Sequence, residues 1–475
     1  MKRLLIKGIL LSGMFGITCG FAQTKTLTLQ QCVELAVNNN AQVNQAVYQL
    51  ETASINVKQA KGNLLPDLFG NLGHGINQGR NIDPFTNSYI NQQVNFANGG
   101  INSSATLFNG GLLQNTLQQN KILNQAAISD VQQSKENITL NVILAYLQIL
   151  TNTDLLEQAS NQLLVTGKQV DRLDVLNKAG TIVPAQLYDL KGQYANDELA
   201  VVNTQNALNQ SRLTLAQLMN VPYAQVVNIE PVNINDLAAT NTTDAAAIIQ
   251  TALQQLPVIK GVTLRRQAAE KGIRVAKGNY YPVVSFSSGL NTNFSNAART
   301  ETLLNMVDEP NGDFVSINGG KVPVITRRRI TSQQSIGYFN QFKNNYGTSF
   351  FLNISIPILN GFRAKNRVAQ ARADVKYAAF VEQTTKTQLS QSVEQANFNL
   401  NAATDRYNTL VKQVAAFSES FRIAEVRFGA GAITQVDYLI AKNNADRSET
   451  NLIIAKYDYV FRSKILDYYQ GKLVL

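Results

Sequence analysis

Few residues of this 475-residue chain are placed to do chemistry. His74 is the one histidine, so no second imidazole can share a metal or a proton with it. Of two cysteines, Cys19 lies in an apolar leader, where Gly16-Ile17-Thr18 is a poor lead-in for lipidation. Cys32 is then a single thiol without an internal disulfide partner, and reads as a small buried apolar residue. No Gly-rich phosphate loop follows a strand, and there is no nucleophile elbow. Glu419 and Glu425 fall among polar helical positions, where water is the default partner. Two charged features remain. Asp437 stands three residues after Thr434, the spacing at which a carboxylate and a hydroxyl close the first turn of a helix, at its positive end. Arg327–Arg329 is a run of cations that could meet lipid phosphates or form a solvated loop cluster. These residues point away from an enzyme, a metal or a cofactor.

The bulk properties narrow the class further. Lys2, Arg3 and Lys7, an apolar run from Ile9 to Ile17, and Gly20-Phe21-Ala22 make residues 1–22 a secretory signal, with cleavage after Ala22. The net charge is +10, and removing the three cations of the leader leaves +7. Lys and Arg are interspersed with Asp and Glu, which is not a nucleic-acid footprint. Beyond the leader no run approaches the length of a membrane helix. Asn137–Thr153 comes nearest and contains Asn137, Asn141, Gln148 and Asn152. An exported chain without such helices can be periplasmic, secreted or a β-barrel.

The elements that hold Asp437 are organised around a turn. Phe428–Lys442 (FGAGAITQVDYLIAK) interrupts helical patterning with Ala430-Gly431, a left-handed helix stop, and restarts it at Thr434. Lys178–Lys191 (KAGTIVPAQLYDLK) has the same plan: Ala179-Gly180, Ile182 and Lys191 match Ala430-Gly431, Ile433 and Lys442 at a constant offset of 251. Likewise Gly62-Asn63-Leu64-Leu65-Pro66 matches Gly278-Asn279-Tyr280-Tyr281-Pro282 at an offset of 216. After each Pro the period changes from helical to two. In the second half Val284, Phe286, Leu290 and Phe294 alternate with Ser285, Ser287, Gly289, Asn291 and Asn293, and the pattern returns from Tyr346. An apolar face against a small polar face is a weak signature of a transmembrane β-strand, and on alternation alone the edge of a soluble sandwich is the other reading. Leu107-Phe108-Asn109-Gly110-Gly111 and Ile358-Leu359-Asn360-Gly361-Phe362 end the strand pairs, and each lies 71 positions before its Gly180 or Gly431. The helix between would be ~100 Å long.

The expected organisation is therefore a duplication. The first repeat, 23–243, has a helix to Gly62, strands at about 64–78 and 94–108, a long helix 111–178, a return helix 182–220 and a linker 221–243. The second, 244–475, has a helix to Gly278, strands at about 283–294 and 346–357, a long helix 361–428 and a return helix 434–471. Residues Ser295–Asn345 are expected as a long outer loop. Four strands are too few to close a barrel around a pore, so closure has to come from several copies.

On these motifs, in this order and spacing, the chain resembles the TolC-like outer membrane efflux proteins over essentially its whole mature length. The resemblance implies a mainly α fold with transmembrane β: a homotrimer whose twelve strands form one barrel, continued by a long periplasmic coiled-coil tunnel. It implies an outer membrane exit duct of a Gram-negative tripartite efflux pump for small molecules, or of a type I protein secretion system. A periplasmic adaptor and an inner-membrane transporter would be its partners, with outer membrane lipids around the barrel. The tips Ala179-Gly180 and Phe428-Ala430-Gly431 would be the docking end, and Asn109-Gly110 and Asn360-Gly361 the strand-to-helix turns. In the family two aspartates, six and nine positions after the second-tip glycine, commonly ring the closed mouth. Here the first is Asp437, but the second position is Ile440. A gate aspartate and a helix cap are compatible roles for Asp437. A coiled-coil adhesin is the reading from another class. It accounts for the long helices, but not for strand pairs between helices in both halves.

Overall fold

A computed structural model describes residues 26–82, 87–91, 93–226, 228–231 and 244–472. The expected leader, 1–22, and most of the expected linker, 232–243, lie outside them. The chain forms two compact units. One comprises Met1–Glu51, Gln125–Thr263 and Val381–Leu475, the other Thr52–Asn124 and Leu264–Phe380. In chain order the elements are α1 (Leu29–Asn39), α2 (Ala41–Gly62), β1 (Asp67–Asn77), β2 (Arg80–Ile82), β3 (Tyr89–Asn91), β4 (Val94–Phe108), α3 (Leu112–Lys178) and α4 (Pro184–Met219). There follow α5 (Ala245–Gln255), α6 (Pro257–Gly278), β5 (Val283–Ser295), β6 (Arg299–Ile317), β7 (Gly320–Ser335), α7 (Tyr338–Asn344), β8 (Gly347–Ser355), α8 (Arg363–Gly429) and α9 (Gln435–Tyr469). Both α3 and α8 are 67 residues long.

The first unit is helical. Its main core joins Cys32, Val33 and Ala36 of α1 to Val142, Tyr146 and Ile149 of α3, Leu215 and Met219 of α4, and Val460 of α9. Each of the Val, Leu, Ile and Met side chains contributes about 1.5–3 kcal/mol on burial. Cys32 is fully buried, and desolvation pushes its thiol up to about 11, so it is an inert core residue. The Tyr146 hydroxyl donates to the Glu230 carbonyl, beneath a short parallel bridge between Leu27 and Ile229. A second core gathers Ile248, Ala252, Leu256 and Ile259 against Leu389 and Val393 of α8 and Leu466 of α9.

The helices expected over 29–62 and 244–278 are each broken once. The breaks fall at Asn40 and Leu256, both extended (φ −66°, ψ 133° and φ −67°, ψ 134°) and separated by the same 216 positions as the helix stops. At the second site the cause is Pro257, which lacks an N–H and drives its predecessor out of helical space. At the first it is Asn40 itself. Its Oδ1 accepts the Gln42 N–H at 2.8 Å and its Nδ2 donates to the Leu218 carbonyl at 2.9 Å. Leu256 has no such acceptor, so the equivalent Val258 N–H donates to Gln133 Oε1 of α3 at 3.1 Å.

The second unit holds an antiparallel sheet of order β1-β4-β5-β8. Its register puts Leu68, Leu72, Ile101, Leu290, Phe286, Leu352 and Ile354 on one face. The other face carries Asn71, Asn98, Asn102, Asn291, Asn353 and several Ser and Gly, with Phe69, Phe96 and Phe351 among them. The apolar face is open: Leu72 is 88% exposed. His74 stands on β1 opposite Ala97.

The region Ser295–Asn345 is not the loop expected from sequence. It contains a ribbon of β6 and β7 followed by α7. Asn318 and Gly319 turn the ribbon with φ of 54° and 84°, the left-handed pair that suits a two-residue hairpin. Asn-Gly between β-branched runs is a hairpin signal, set here among glycines and prolines that otherwise suit a loop. Across the ribbon Arg327 pairs with Asp308 at 3.1 Å and Arg328 with Glu309. Two cations of the basic run thus have carboxylate partners across the ribbon.

The break sites give a paired prediction. Asn40→Ala should lower the stability of the helical unit by about 1–3 kcal/mol, since a cap and a buried hydrogen bond are lost together. Ala41→Pro should be neutral or stabilise by about 0.5 kcal/mol, because the preceding residue is already extended. Thermal melts followed by circular dichroism would read both, and a large loss on Ala41→Pro would contradict the account.

Candidate functional site: the two helix tips

Both tips lie in the helical unit and close in the same way. Gly180 N–H donates to the Asn177 carbonyl (3.0 Å) and Thr181 N–H to the Leu176 carbonyl (3.0 Å). Gly431 N–H donates to Phe428 (3.1 Å) and Ala432 N–H to Arg427 (2.8 Å). This pair of bonds satisfies the last helical carbonyls and needs a left-handed residue at its centre. Gly180 and Gly431 both have φ of +70°. No heavy atom crowds either Cβ position, so backbone conformation rather than packing selects glycine.

The restarts differ. Thr434 Oγ1 accepts the Asp437 N–H at 3.2 Å, while Asp437 Oδ2 accepts the Thr434 hydroxyl at 2.7 Å and its N–H at 3.3 Å. Asp437 is thus an exposed carboxylate engaged in a reciprocal cap. At the first tip Val183 offers no side-chain acceptor, and Pro184 starts α4 with its fixed φ.

The fold brings the tips together. Val170, Leu173 and Leu176 of α3, Ile182, Leu187 and Leu190 of the first return, Phe428 of α8 and Leu439 of α9 share one small core. Gln435 Nε2 donates to the Gln186 carbonyl at 2.7 Å, and Arg172 Nη2 to the Gly429 carbonyl at 2.5 Å. Phe428 stacks on Tyr438, ring centroids 4.7 Å apart. The Tyr438 hydroxyl is buried without a hydrogen-bond partner. Desolvation first, then the carboxylates of Glu425, Asp446 and Asp197, raise its pKa and keep it neutral. Ala179 and Ala430 are exposed at the turns, and Ile440 is exposed on α9.

A charged cluster lies further along the return helices. Lys442 is 1% exposed, yet its Nζ reaches Asp446 Oδ2 at 2.6 Å and Asp197 Oδ2 at 3.3 Å. Asp197 also accepts from Thr166 Oγ1 (2.5 Å) and Gln193 Nε2 (2.7 Å). Burial raises the pKa of Asp446 and Lys442 opposes that shift. Sequence reading missed this network, as it missed Arg172 and Gln186. The constant offset pairs Lys442 with Lys191, but Lys191 is exposed beside Tyr188, so repeat spacing carries no sign of burial.

The strand-to-helix turns belong to the other unit. Gly110 and Gly111 have φ of 66° and 74°, and Gly361 and Phe362 58° and 59°. The Asn109 carbonyl accepts the Leu112 N–H and the Asn360 carbonyl the Arg363 N–H, both at 3.2 Å. A Cβ on Gly110 would lie 2.7 Å from the Gly278 carbonyl oxygen and from Tyr281 Cβ; on Gly361 it would meet nothing.

Lys442→Met would leave the buried carboxylate of Asp197 and the half-buried one of Asp446 without their cation, at a cost of about 3–5 kcal/mol in the helical unit. Replacing Asp197 as well, by Leu, should recover part of it. A chemical-denaturation series on both variants reads this, and an unchanged Lys442→Met midpoint would contradict the burial.

The chain has relatives among known outer membrane proteins. It is 20% identical to the outer membrane protein TolC of Vibrio cholerae over 91% of this chain and 88% of that one. Its fold is similar to that of a Pseudomonas aeruginosa membrane protein (TM-score 0.75, 15% identity, covering 94% of this chain and 92% of that one). It is also similar to the outer membrane protein VceC of Vibrio cholerae (TM-score 0.74, 16% identity, 94% and 97%). The sequence profile of the outer membrane efflux protein family matches residues 32–221 and 248–469, and the chain belongs to that family.

Proposed function

We propose that three copies of this chain close one barrel of twelve strands and continue it as a helical duct through which small molecules leave the cell envelope. Family membership makes the chain an outer membrane efflux protein, a conduit rather than an enzyme. The observation that carries the trimeric reading is the sheet: one face of Leu, Ile and Phe suits lipid, and one of Asn, Ser and Gly suits a water-filled lumen. Among the described residues β1 and β8 each have one neighbour in that sheet, which leaves an edge on either side. The matched helices, tips and stops favour an internal duplication. If so, β8 of one copy meets β1 of the next as β4 meets β5 within a chain. The open space at Gly361, where Gly110 has Gly278 and Tyr281, fits a neighbouring copy there.

The domain division proposed is that of the two sequence repeats, 23–243 and 244–475, each contributing two barrel strands and one long helix. The tips are proposed as the periplasmic mouth, where an adaptor protein docks and couples the duct to an inner-membrane transporter. Exposed apolar side chains near both turns, among them Val175, Tyr188, Val426 and Val436, favour docking there. Asp437 is proposed to put one carboxylate per copy at the mouth, a ring that favours cations. Outer membrane lipids would meet the apolar strand face. No cofactor enters this reading.

Single-channel recording in planar bilayers tests the duct: a cation-preferring conductance is expected, and its absence would overturn the reading. Gly431→Val puts a β-branched side chain at φ of +70°, where it costs roughly 1–2 kcal/mol, and should abolish drug export in cells while the protein still reaches the membrane. Asp437→Asn keeps a capping oxygen but drops the charge. It should weaken cation preference with little loss of stability, whereas unchanged selectivity would leave Asp437 a helix cap and no more.

A further inference from the structure

The short helix α7 sits on the apolar face of the strand sheet. Gly99 points its missing side chain at Leu72 Cδ2 (2.9 Å) and Phe342 Cε1 (3.3 Å), so the Phe342 ring occupies the space above the glycine. Thr292 Oγ1 donates to the Phe342 carbonyl at 2.8 Å. Tyr338 lies against Phe294 (centroids 4.4 Å) and stacks on Phe342 (4.8 Å). Thr292 and Phe294 share the face of Leu290 and Ile101.

Polar contacts fix the helix in place. Gln341 is buried. Its Oε1 accepts the Ser295 N–H (2.9 Å), and its Nε2 donates to the carbonyls of Ser295 (2.9 Å) and Ile336 (2.8 Å). Asn345 Nδ2 donates to the Asn293 carbonyl at 2.9 Å. On this clamped helix Phe339 is 86% exposed, with the edge of the Tyr338 ring 6.0 Å away. Lys343 and Asn344 are exposed at its C-terminal end.

The height of α7 matters. It contacts β5 near Phe294, the end away from Pro282, where the helical segment enters the strand. Eleven steps of about 3.3 Å, tilted by about 40°, raise that end by roughly 28 Å, about the height of an outer membrane barrel's apolar band. An aromatic group held there on the lipid side, beside a lysine, matches the chemistry of the membrane–water boundary.

We infer that α7 is an interfacial anchor for the outer leaflet, with Phe339 inserted among lipid acyl chains and Lys343 at the level of headgroup phosphates. The inference rests on the reading that the apolar strand face meets lipid, with which α7 is continuous. A neighbouring copy of the chain is the other occupant the exposed ring could have.

The chain contains no tryptophan, so single substitutions give clean fluorescent reporters. The full-length protein would be placed in phosphatidylcholine vesicles carrying bromine either near the headgroups or deep in the acyl chains. Phe339→Trp should emit at shorter wavelength than tryptophan in water and lose most of its intensity to the shallow bromines, less to the deep ones. Leu352→Trp, on the apolar strand face, should be quenched by bromine, and Phe351→Trp, on the polar face, should not. If Leu352→Trp is quenched while Phe339→Trp is quenched only by aqueous iodide, α7 faces water and the inference is overturned. If Phe339→Trp is shielded from both quenchers, a second copy covers it and the lipid anchor is likewise overturned. If Leu352→Trp escapes bromine too, the lipid-facing reading itself fails, and the inference with it.

Discussion

A strand that ends a sheet leaves a row of backbone N–H and carbonyl groups with nothing to bond, and hydrocarbon cannot supply the missing partners. In this chain that constraint falls on the outer edges of β1 and β8. It acts together with a second one: the face carrying Leu72, Leu352 and Ile354 cannot be left in water. A soluble sandwich would meet both demands by folding another layer over the sheet. Among the described residues only the short α7 lies against it, at one end. The proposed barrel, closed by several copies in a lipid solvent, would satisfy the edges and the apolar face at once, with four sheet strands from each chain.

The helical unit answers a different demand: two long helices must be reversed and braced against shorter partners. The reversals use the same left-handed glycine and the same pair of carbonyl bonds, because few geometries end one helix and start another within five residues. Around that shared device the two halves differ. One restart is capped by Thr434 and Asp437, the other set by Pro184. One helix break is made by Asn40, the other by Pro257 with Gln133 reaching across. Lys191 is solvated, whereas Lys442 is buried with Asp197 and Asp446. What is kept is backbone geometry; what varies is which side chain satisfies it.

This pattern also explains what could be read from the sequence. Glycine at positive φ, proline after a helix stop and the switch from helical to alternating period are local signals. They located the tips, the turns at Asn109 and Asn360 and the strands flanking Pro66 and Pro282 without any tertiary information. Asn40 escaped because asparagine next to alanine is compatible with a continuing helix; its preference was decided by the Leu218 carbonyl, which is distant in sequence. The ribbon of β6 and β7 was obscured by Pro310, Gly312 and Pro323, although Asn318-Gly319 marked its turn. The Lys442 network and the seat of α7 depend on contacts between separate elements, and no local pattern encodes them.

The central claim is that β8 of one copy completes the sheet against β1 of another. Within the chain Ser104 pairs with Ser287. Carried through the repeat offsets of 251 and 216, that register places Ser355 of one copy opposite Asn71 of the next. The direct measurement is oxidative cross-linking of the Asn71→Cys, Ser355→Cys double variant in membranes, with Ile354→Cys in place of Ser355→Cys as a register-shifted control whose side chain faces the opposite side. Disulfide-linked three-chain species from the first variant, and none from the control, are predicted. Chains that stay single, or that link equally well in the shifted register, would contradict the account.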